Sequence, residues 1–553
     1  MRAPVVLVLV VLAALATGCT GGSAGAAGQR AEAVTSAPDP ALTLVADTDA
    51  VASAVSVSRA LFDRSTVAVV ARDGDRAGTL LAASAAVGLG VPLLVEPAGG
   101  GTGDVVGFEL RRLGAATVLV VGKAGAGAPS SPAGGPEVVT VPADAAAVEE
   151  ATGLELDDAQ PVPADDDLAA VAALDPGMPA ALRPADGPGV TTASSGDVNG
   201  NVPEVDRGDP LTGTLVLASG SRESLAGIAT ARAAGAEVRL TGGQLDPRGS
   251  ADVVTALHED RPGRVLALGA DFAGVQGLDW KLRTATDGAL LPGGGQLLFP
   301  QHMMVALYGT PGTGALGVLG EQGLQESIQR AEDTAAPYGR LVDATVVPTF
   351  EIIATVASSA PGPDGNYSAE SDLEALRPWV EAAGQAGLYV VLDLQPGRTD
   401  FLTQARQYQP LLELPYVGLA LDPEWRLKPN EVHLTQIGQL DIDEVNQVVA
   451  WLADLTRDRA LPQKLLVLHQ FQVRMIVDRE RLDTSRDELA IMVHADGQGT
   501  QPMKQDTWRV LHQDAPAPVY WGWKNFYDED SPTLTSEQTI AQVHPIPQLV
   551  TYQ

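Results

Sequence analysis

Asp422 and Glu424 are the acidic pair in the sequence best placed for acid–base chemistry. They stand two residues apart after the apolar stretch 416–421, and Trp425 follows them. Residues two apart on a strand face the same side, so both carboxyl groups can be presented together. Glycoside hydrolysis needs one carboxyl held protonated as a donor and a second group that acts as nucleophile or stabilises the oxocarbenium ion. Trp425 could exclude water and raise the pKa of Glu424.

Other polar side chains follow neighbouring apolar runs of the second half and could complete such a site. The carboxyl groups that we predict to be catalytic are Glu424, Asp422, Asp393, Glu351 and Asp496. The side chains that we predict to bind substrate are Tyr308, Trp425, Gln395, His469, His494, Trp521, Trp523 and Lys524. Glu424 as the acid, with Asp393, Glu351 or Asp496 as its partner, is one hypothesis. A barrel that binds carbohydrate without cleaving it is the other.

The elements that must position these residues alternate regularly from residue 295 to 553. Eight apolar runs predict strands, and helix-like stretches separate them: "MMVALYGTP", "VDATVVPTFEII", "LYVVLDLQP", "YVGLALDPEW", "KLLVLHQF", "ELAIMVHADG", "PVYWGWKNF" and "PQLVTYQ". This pattern predicts a (β/α)₈ TIM-like barrel, whose active sites lie at the carboxyl ends of the strands. An open doubly wound sheet is the alternative, but polar residues at the end of nearly every strand favour the barrel.

The fourth predicted strand carries a family resemblance. Residues 418–424, "GLALDPE", resemble the fourth-strand motif Gly-x-Asp-x-Asp-x-Glu of chitinase-like (family-18) glycoside hydrolases. The resemblance implies that Glu424 is the general acid and that Asp422 assists it. Ala420 stands where the motif has its first Asp.

An internal repeat organises the first half. "VAVVARDGDRAGTLLAASAAVGLGVPLLV" and "GTLVLASGSRESLAGIATARAAGAEVRLT" both run strand, polar loop, Ala-rich helix, Gly and strand. Such runs predict two small parallel-sheet α/β units, over 46–135 and 209–280. The first copy, with "LRRLGAATVLVVG", resembles the type-2 cell wall binding repeat of Gram-positive surface proteins, which implies an envelope polysaccharide as partner. An Ala-, Pro- and Asp-rich linker or insert is predicted over 136–208.

The amino terminus predicts export and a lipid anchor in the membrane. Residues 1–19 have one Arg, an apolar run too short to span a bilayer and small residues before Cys19. Residues 15–19 resemble a bacterial lipobox, which implies lipidation of Cys19, the single cysteine of the chain. Residues 20–45 predict a flexible Gly/Ala/Ser/Pro tether. We therefore expect an extracytoplasmic protein attached to the cell membrane or wall.

Net charge, histidine spacing and missing motifs argue against several other classes of function. A formal charge of −33 over 553 residues makes nucleic acid an unfavourable partner. The histidines His302, His469, His494 and His512 are scattered without a metal-binding spacing. No Gly-x-Ser-x-Gly follows a strand in the second half, and no phosphate-binding glycine motif opens a helix. We expect neither a metal nor a cofactor.

Overall fold

The computed structural model describes residues 30–99, 103–123, 135–186 and 198–553. The predicted signal peptide with Cys19, and residues 20–29 of the predicted tether, lie outside them. Among the described residues, no helix has both the length and the apolar character needed to cross a bilayer.

The first half mixes short strands with helices. Its strands are β1 (Ala31–Thr35), β2 (Leu42–Val45), β3 (Phe62–Ser65), β4 (Val67–Arg72), β5 (Leu93–Glu96), β6 (Thr117–Val121), β7 (Glu137–Val141), β8 (Asp157–Val162), β9 (Ala180–Pro184), β10 (Val205–Asp206), β11 (Thr214–Ala218), β12 (Glu237–Leu240) and β13 (Arg264–Leu268). Its helices are α1 (Ala50–Leu61), α2 (Arg76–Leu89), α3 (Gly103–Leu113), α4 (Ala145–Thr152), α5 (Asp167–Ala172), α6 (Leu225–Ala233), α7 (Ala251–Asp260) and α8 (Leu278–Asp287).

Two four-stranded parallel sheets in this half have the same plan. Their strand orders are β5-β4-β6-β7 and β12-β11-β13-β2. In each, the first strand of the repeat is central, and the second and third strands lie on either side of it. The central strands β4 and β11 are almost wholly buried, as expected for parallel sheets covered on both faces. The sheets confirm the predicted α/β architecture.

Glycines at matching positions shape both sheets. Gly74 and Gly220 follow the central strands at φ 82° and 102°, and Gly122 and Gly269 follow the third strands at φ 83° and 136°. A side chain disfavours this region of φ. A Cβ at Gly122 or Gly269 would also collide with the loop that follows the central strand. The repeat therefore extends to backbone geometry that requires glycine.

The residues around the first repeat take more part in the sheets than their composition predicts. β1 pairs with β3 and β10, and β2 forms the edge of the second sheet beside β13. Residues 31–35 and 42–45 are thus strands rather than flexible tether. The described parts of 136–208 hold β7–β10, α4 and α5 and bury Val148, Val162 and Val171. The pairings of β1 with β10 and of β2 with β13 join segments that are far apart in the chain, so local composition conceals them.

Helix α6 joins the two sheets into one hydrophobic core. The buried N of Leu93, the first residue of β5 in the first sheet, donates to Thr230 Oγ1 of α6 at 3.0 Å. On the same helix, a Cβ at Gly227 would press on Val57 of α1. One cluster of buried side chains accordingly runs from the first unit to β11 and β13 of the second.

The second half alternates strands and helices. Its strands are β14 (His302–Gly309), β15 (Thr345–Ala357), β16 (Ser368–Glu370), β17 (Tyr389–Leu394), β18 (Val417–Leu421), β19 (Leu440–Asp441), β20 (Lys464–Gln470), β21 (Ile476–Val477), β22 (Leu489–Ala495), β23 (Tyr520–Asn525) and β24 (Leu549–Tyr552). Its helices are α9 (Leu324–Ala335), α10 (Leu373–Gln385), α11 (Phe401–Gln407), α12 (Gln409–Leu412), α13 (Ile442–Asp458), α14 (Gln501–His512) and α15 (Ser536–Gln542).

Eight of these strands close into a parallel barrel. The order around it is β14-β15-β17-β18-β20-β22-β23-β24, and β24 pairs with β14 to complete the ring. Each of the eight predicted runs supplies one strand, so the TIM-like barrel is confirmed and the open sheet is excluded. The short β16 is antiparallel to the extended end of β15.

The first half is fastened to the barrel by buried charged groups of its second unit. Lys281 Nζ lies 2.6 Å from Asp487 Oδ2, and Arg248 Nη2 donates to Asp487 O at 3.1 Å. Arg248 also pairs with Asp246 and stacks on Trp280. Asp487 lies two residues before β22. These contacts therefore lie at the amino-terminal end of the barrel, opposite the strand ends where the predicted site lies.

Candidate active site

The barrel interior changes from apolar to polar towards the carboxyl ends of its strands. Ala306, Val391, Ala420, Val467 and Met492 belong to the apolar inner core. Two residues further along each strand, the same alternation presents a polar group. We call the following set the mouth layer: Tyr308, Glu351, Asp393, Asp422, His469, His494, Lys524 and Thr551. All its members are buried, and it holds most of the residues predicted to form the site.

A chain of charged groups crosses the mouth layer. Glu351 Oε1 lies 2.8 Å from His469 Nε2, and Glu351 Oε2 accepts from Thr551 Oγ1 at 2.9 Å. His469 Nδ1 lies 3.2 Å from Asp496 Oδ2. Lys524 Nζ lies 3.0 Å from Asp496 Oδ1. Two carboxylates and two cations therefore neutralise one another within the barrel.

These pairs fix the protonation states of the chain. Burial alone would raise the pKa of Glu351, but the charge and hydrogen bond of His469 lower it to about 2. Burial opposes the charge of His469 too, yet Glu351 and Asp496 raise its pKa well above its usual value. The pKa of Asp496 is lowered despite burial because Lys524 and His469 lie beside it. Both carboxylates are thus ionised at neutral pH, and both partners are protonated.

Asp393 lies beside this chain and is less well compensated. Its Oδ2 accepts from Tyr308 OH at 2.8 Å, while its Oδ1 is 3.8 Å from His469 Nε2 and lacks a hydrogen-bond partner among the described residues. Burial, and then the negative charge of Glu351, raise the pKa of Asp393 to about 6 against the opposing effect of His469. Gln395 accepts from Ala357 N at 2.8 Å, which holds its amide near Tyr308.

Asp422 and Glu424 end the fourth strand and occupy different depths. Asp422 is 3% exposed, and its N donates to Leu394 O on β17 at 3.1 Å. A single 3₁₀ turn, Pro423–Trp425, then carries Glu424 to the rim, where it is half-buried. Burial and the charge of Asp393 raise the pKa of Asp422 well above its usual value. Burial and the charge of Asp496 raise the pKa of Glu424 to about 7.

Gly438 holds the turn that bears Glu424. Its N donates to Glu424 O at 2.7 Å. A Cβ at this position would collide with the carbonyl oxygens of Pro423, Glu424 and Arg426. The loop after β18 therefore returns against the turn so closely that only glycine fits. Sequence analysis missed this residue, because glycine is common in polar loops and its contacts here are with backbone carbonyl groups.

Trp425 is half-buried and meets His433 of the same loop edge to face, with ring centroids 5.4 Å apart. His433 Nε2 lies 2.8 Å from Tyr367 O, and the Arg398 guanidinium stacks on the Tyr367 ring. An aromatic group thus lies on the Glu424 side of the rim. Tyr367 and His433 are absent from the sequence-based site because they come from loops rather than strand ends.

The two tryptophans of β23 face away from the mouth. Trp521 and Trp523 pack edge to face on Trp508 of α14, in the core between barrel and helices. His512 of α14 stacks on Trp521 at 3.5 Å. Alternate residues of a strand point to opposite faces, so Lys524 points into the barrel whereas Trp521 and Trp523 point outward. We therefore leave both tryptophans out of the proposed site.

His494 lies inside the mouth layer beside His469, with ring centroids 4.9 Å apart. Burial and the neighbouring positive charge of His469 lower the pKa of His494 to about 3, so the ring is neutral. Both of its ring nitrogens are buried without a hydrogen-bond partner among the described residues. Gly522 is required beside it, because a Cβ there would collide with the imidazole.

Thr551 is the other mouth-layer member that sequence analysis missed. It bonds Glu351, and its signal was the inward alternation of Leu549 and Thr551 in the last strand. No group of three or more His, Cys, Asp or Glu side chains with metal-binding geometry occurs in the described ranges. His302 lies at the start of β14, at the far end of the barrel, where its Nδ1 bonds Leu298 O.

Comparisons with known proteins give little further information. No protein-family model matches the chain, and no curated protein matches it. Among solved structures, Cwp6 from Clostridium difficile is similar at 14% identity and a TM-score of 0.33, over 65% of this chain and 63% of that protein. The chain thus covers less than two thirds of that protein.

Proposed function

We propose that the protein is a cell-envelope glycoside hydrolase whose barrel cleaves a surface polysaccharide. Glu424 donates a proton to the leaving glycosidic oxygen as the bond between that oxygen and the anomeric carbon breaks. An ionised carboxylate balances the positive charge that develops on the sugar ring, and water then bonds to the anomeric carbon and releases a proton, which restores the proton balance. Asp496, whose side chain is 9% exposed and whose charge acts on Glu424, is the best candidate for that carboxylate.

The observation that supports this proposal best is the environment of Glu424. A general acid must be protonated near the working pH and reachable by substrate. Glu424 has a pKa of about 7 and lies half-buried at the rim, whereas the ionised Glu351 and Asp496 lie next to cations. Carboxyl groups whose pKa values are pushed apart by their surroundings mark acid and base roles.

The proposed location rests on the first half and the amino terminus. The two α/β units resemble wall-binding repeats in sequence, which supports an envelope polysaccharide as their partner. Cys19, outside the described residues, is the proposed site of lipid attachment to the membrane. A Cys19→Ser variant is expected to move from the membrane fraction to the soluble fraction.

The test of the catalytic proposal uses Glu424→Gln with Glu332→Gln as its control. Glu332 is exposed on α9, so the same chemical change there leaves the mouth untouched. With purified envelope polysaccharide of the source organism, we expect Glu424→Gln to lower the release of reducing ends by at least about 100-fold. The control should keep wild-type release, and both variants should still co-sediment with the polysaccharide.

A non-catalytic carbohydrate-binding role is the second candidate, and Ala420 favours it. Ala420 lies in the apolar inner core, so the position of the first motif Asp carries no acid. If wild-type protein binds the polysaccharide but releases no reducing ends, binding without catalysis is the function.

A further inference from the structure

The mouth of the barrel carries more carboxyl groups than cations. Its five carboxyl groups belong to Glu351, Asp393, Asp422, Glu424 and Asp496. Its two cations belong to His469 and Lys524, and both are already engaged by Glu351 and Asp496. Within the described ranges, no ion pair reaches Asp422 or Glu424. Asp422 and Glu424 therefore have no paired cation among the described residues to stabilise their ionised forms, and a bound cation would supply one.

The same region lacks hydrogen-bond donors. Asp422 Oδ1 and Asp393 Oδ1 are buried and have no donor among the described residues. Their side chains are 3% and 0% exposed. A buried carboxyl oxygen without a donor costs free energy that a suitable ligand recovers on binding. A hydroxyl can supply a donor but no charge, whereas an ammonium group supplies three donors and a positive charge.

The place where such a ligand would enter is the rim beside Glu424. Asp422 and Glu424 are joined by one 3₁₀ turn, and Asp496 is close enough to raise the pKa of Glu424. Glu424 and Asp496 are partly exposed and Asp422 is buried, and the chain as a whole carries −33. Long-range attraction and local pairing thus favour the same sign of ligand.

We propose that the barrel mouth binds a sugar bearing a free amino group, so that the polysaccharide it takes is a cationic, non-acetylated hexosamine polymer. The inference rests on the proposed function, because it names the substrate class of the same site. The ammonium group donates to Asp422, which releases its proton to solvent as the cation binds, while Glu424 keeps the proton that it donates to the leaving oxygen. An N-acetyl group or a hydroxyl at the same position leaves Asp422 without a cation.

Isothermal titration calorimetry of the whole protein tests this proposal. The probes are a glucosamine tetramer and its fully N-acetylated counterpart, near pH 6 and at physiological salt. We expect the amino tetramer to bind at least about tenfold tighter. Asp422→Asn and Asp422→Ser should each abolish most of this preference while affinity for the acetylated tetramer stays the same. Asp458→Asn, an exposed carboxylate at the end of α13, is the matched control and should keep it.

Every outcome decides something. Equal affinity for the two tetramers overturns the proposal. A preference that survives in both mouth variants also overturns it, since the cation then binds the acidic surface at large. The use of two variants protects the test against one failing to fold. Hydrolysis of a neutral polymer without amino preference would leave the proposed function standing and refute this inference. Amino preference without any hydrolysis would leave this inference standing and refute the proposed function.

Discussion

At the scale of residues, the carboxyl groups at the mouth of the barrel are of two kinds. Glu351 and Asp496 contact His469 and Lys524 and are ionised. Glu424, three residues after the end of β18, has no such partner among the described residues and has a pKa of about 7. The different contacts of chemically similar groups are what allows one to donate protons while the others remain charged.

The pKa of Glu424 predicts an alkaline limit to activity. Glu424 loses its proton as the pH rises through about 7, so the rate of hydrolysis should fall there. In Asp496→Asn the neighbouring negative charge is gone, so the pKa of Glu424 should decrease. Carbon-13 titration of the Glu424 carboxyl measures the shift directly. An unchanged midpoint would mean that Asp496 does not act on Glu424.

The buried carboxyl of Asp422 predicts a change in stability with pH. Burial raises its pKa in the folded protein, whereas the unfolded chain ionises at about pH 4. The unfolded state therefore releases its proton first, and this group destabilises the fold increasingly as the pH rises above that value. Asp422→Asn removes the effect. Its Tm should exceed that of the wild type by a margin that grows from about pH 4 to about pH 7; a constant margin would contradict the assignment.

At the scale of elements, the loop after β18 sets the position of the proposed acid. Gly438 contacts the turn Pro423–Trp425 through backbone atoms, and Glu424 O accepts from its N. The strand fixes where Asp422 lies, but the loop fixes where Glu424 lies. Activity should accordingly be sensitive to a residue that has no side chain and performs no chemistry.

Gly438→Ala tests this dependence. The added Cβ must displace the carbonyls of Pro423, Glu424 and Arg426. A shift of about 1 Å in a catalytic group can cost on the order of 100-fold in rate, so kcat should fall by that order. Gly339→Ala is the control, because a Cβ there meets nothing within 4 Å. Wild-type kcat in Gly438→Ala would show that the turn tolerates the displacement.

The sequence predicts the barrel better than it predicts which side chains enter its mouth. Apolar runs are enough to predict the eight parallel strands, because parallel strands are buried on both faces. The pleat decides that Lys524 points inward and that Trp521 and Trp523 point outward. That phase depends on where each strand begins, and residue type does not reveal it. Gly438 escaped notice because its contacts lie with carbonyl groups, which every residue has.

At the scale of the whole molecule, two segments that are far apart in the chain meet in the second sheet of the first half. The strand β2 near the amino terminus pairs with β13, which is the third strand of the second repeat. Val265 N donates to Ala41 O at 2.8 Å, and Gly269 N donates to Val45 O at 2.9 Å. Distance along the chain concealed this pairing from sequence analysis, which assigned the same residues to a tether.

Removal of β1 and β2 tests their structural role. A chain that begins at Ala46 should expose the edge of β13, so amide exchange at Val265 and Gly269 should accelerate at least about tenfold. A chain that begins at Arg30 retains both strands and serves as the control. Equal exchange in the two chains would show that β2 contributes nothing to the second sheet.

The position of β2 also dictates an order of assembly. Arg264 Nε bonds Pro38 O across a sequence separation of 226 residues. At about 5–20 residues per second, the ribosome needs roughly 10–50 s to make the partner of a strand that it has already released. Throughout that interval β2 lacks its partner strand, and unpaired strands are prone to pair with other chains. The first unit can form its own sheet as soon as residue 141 is available, but the amino-terminal half closes only after β13 arrives.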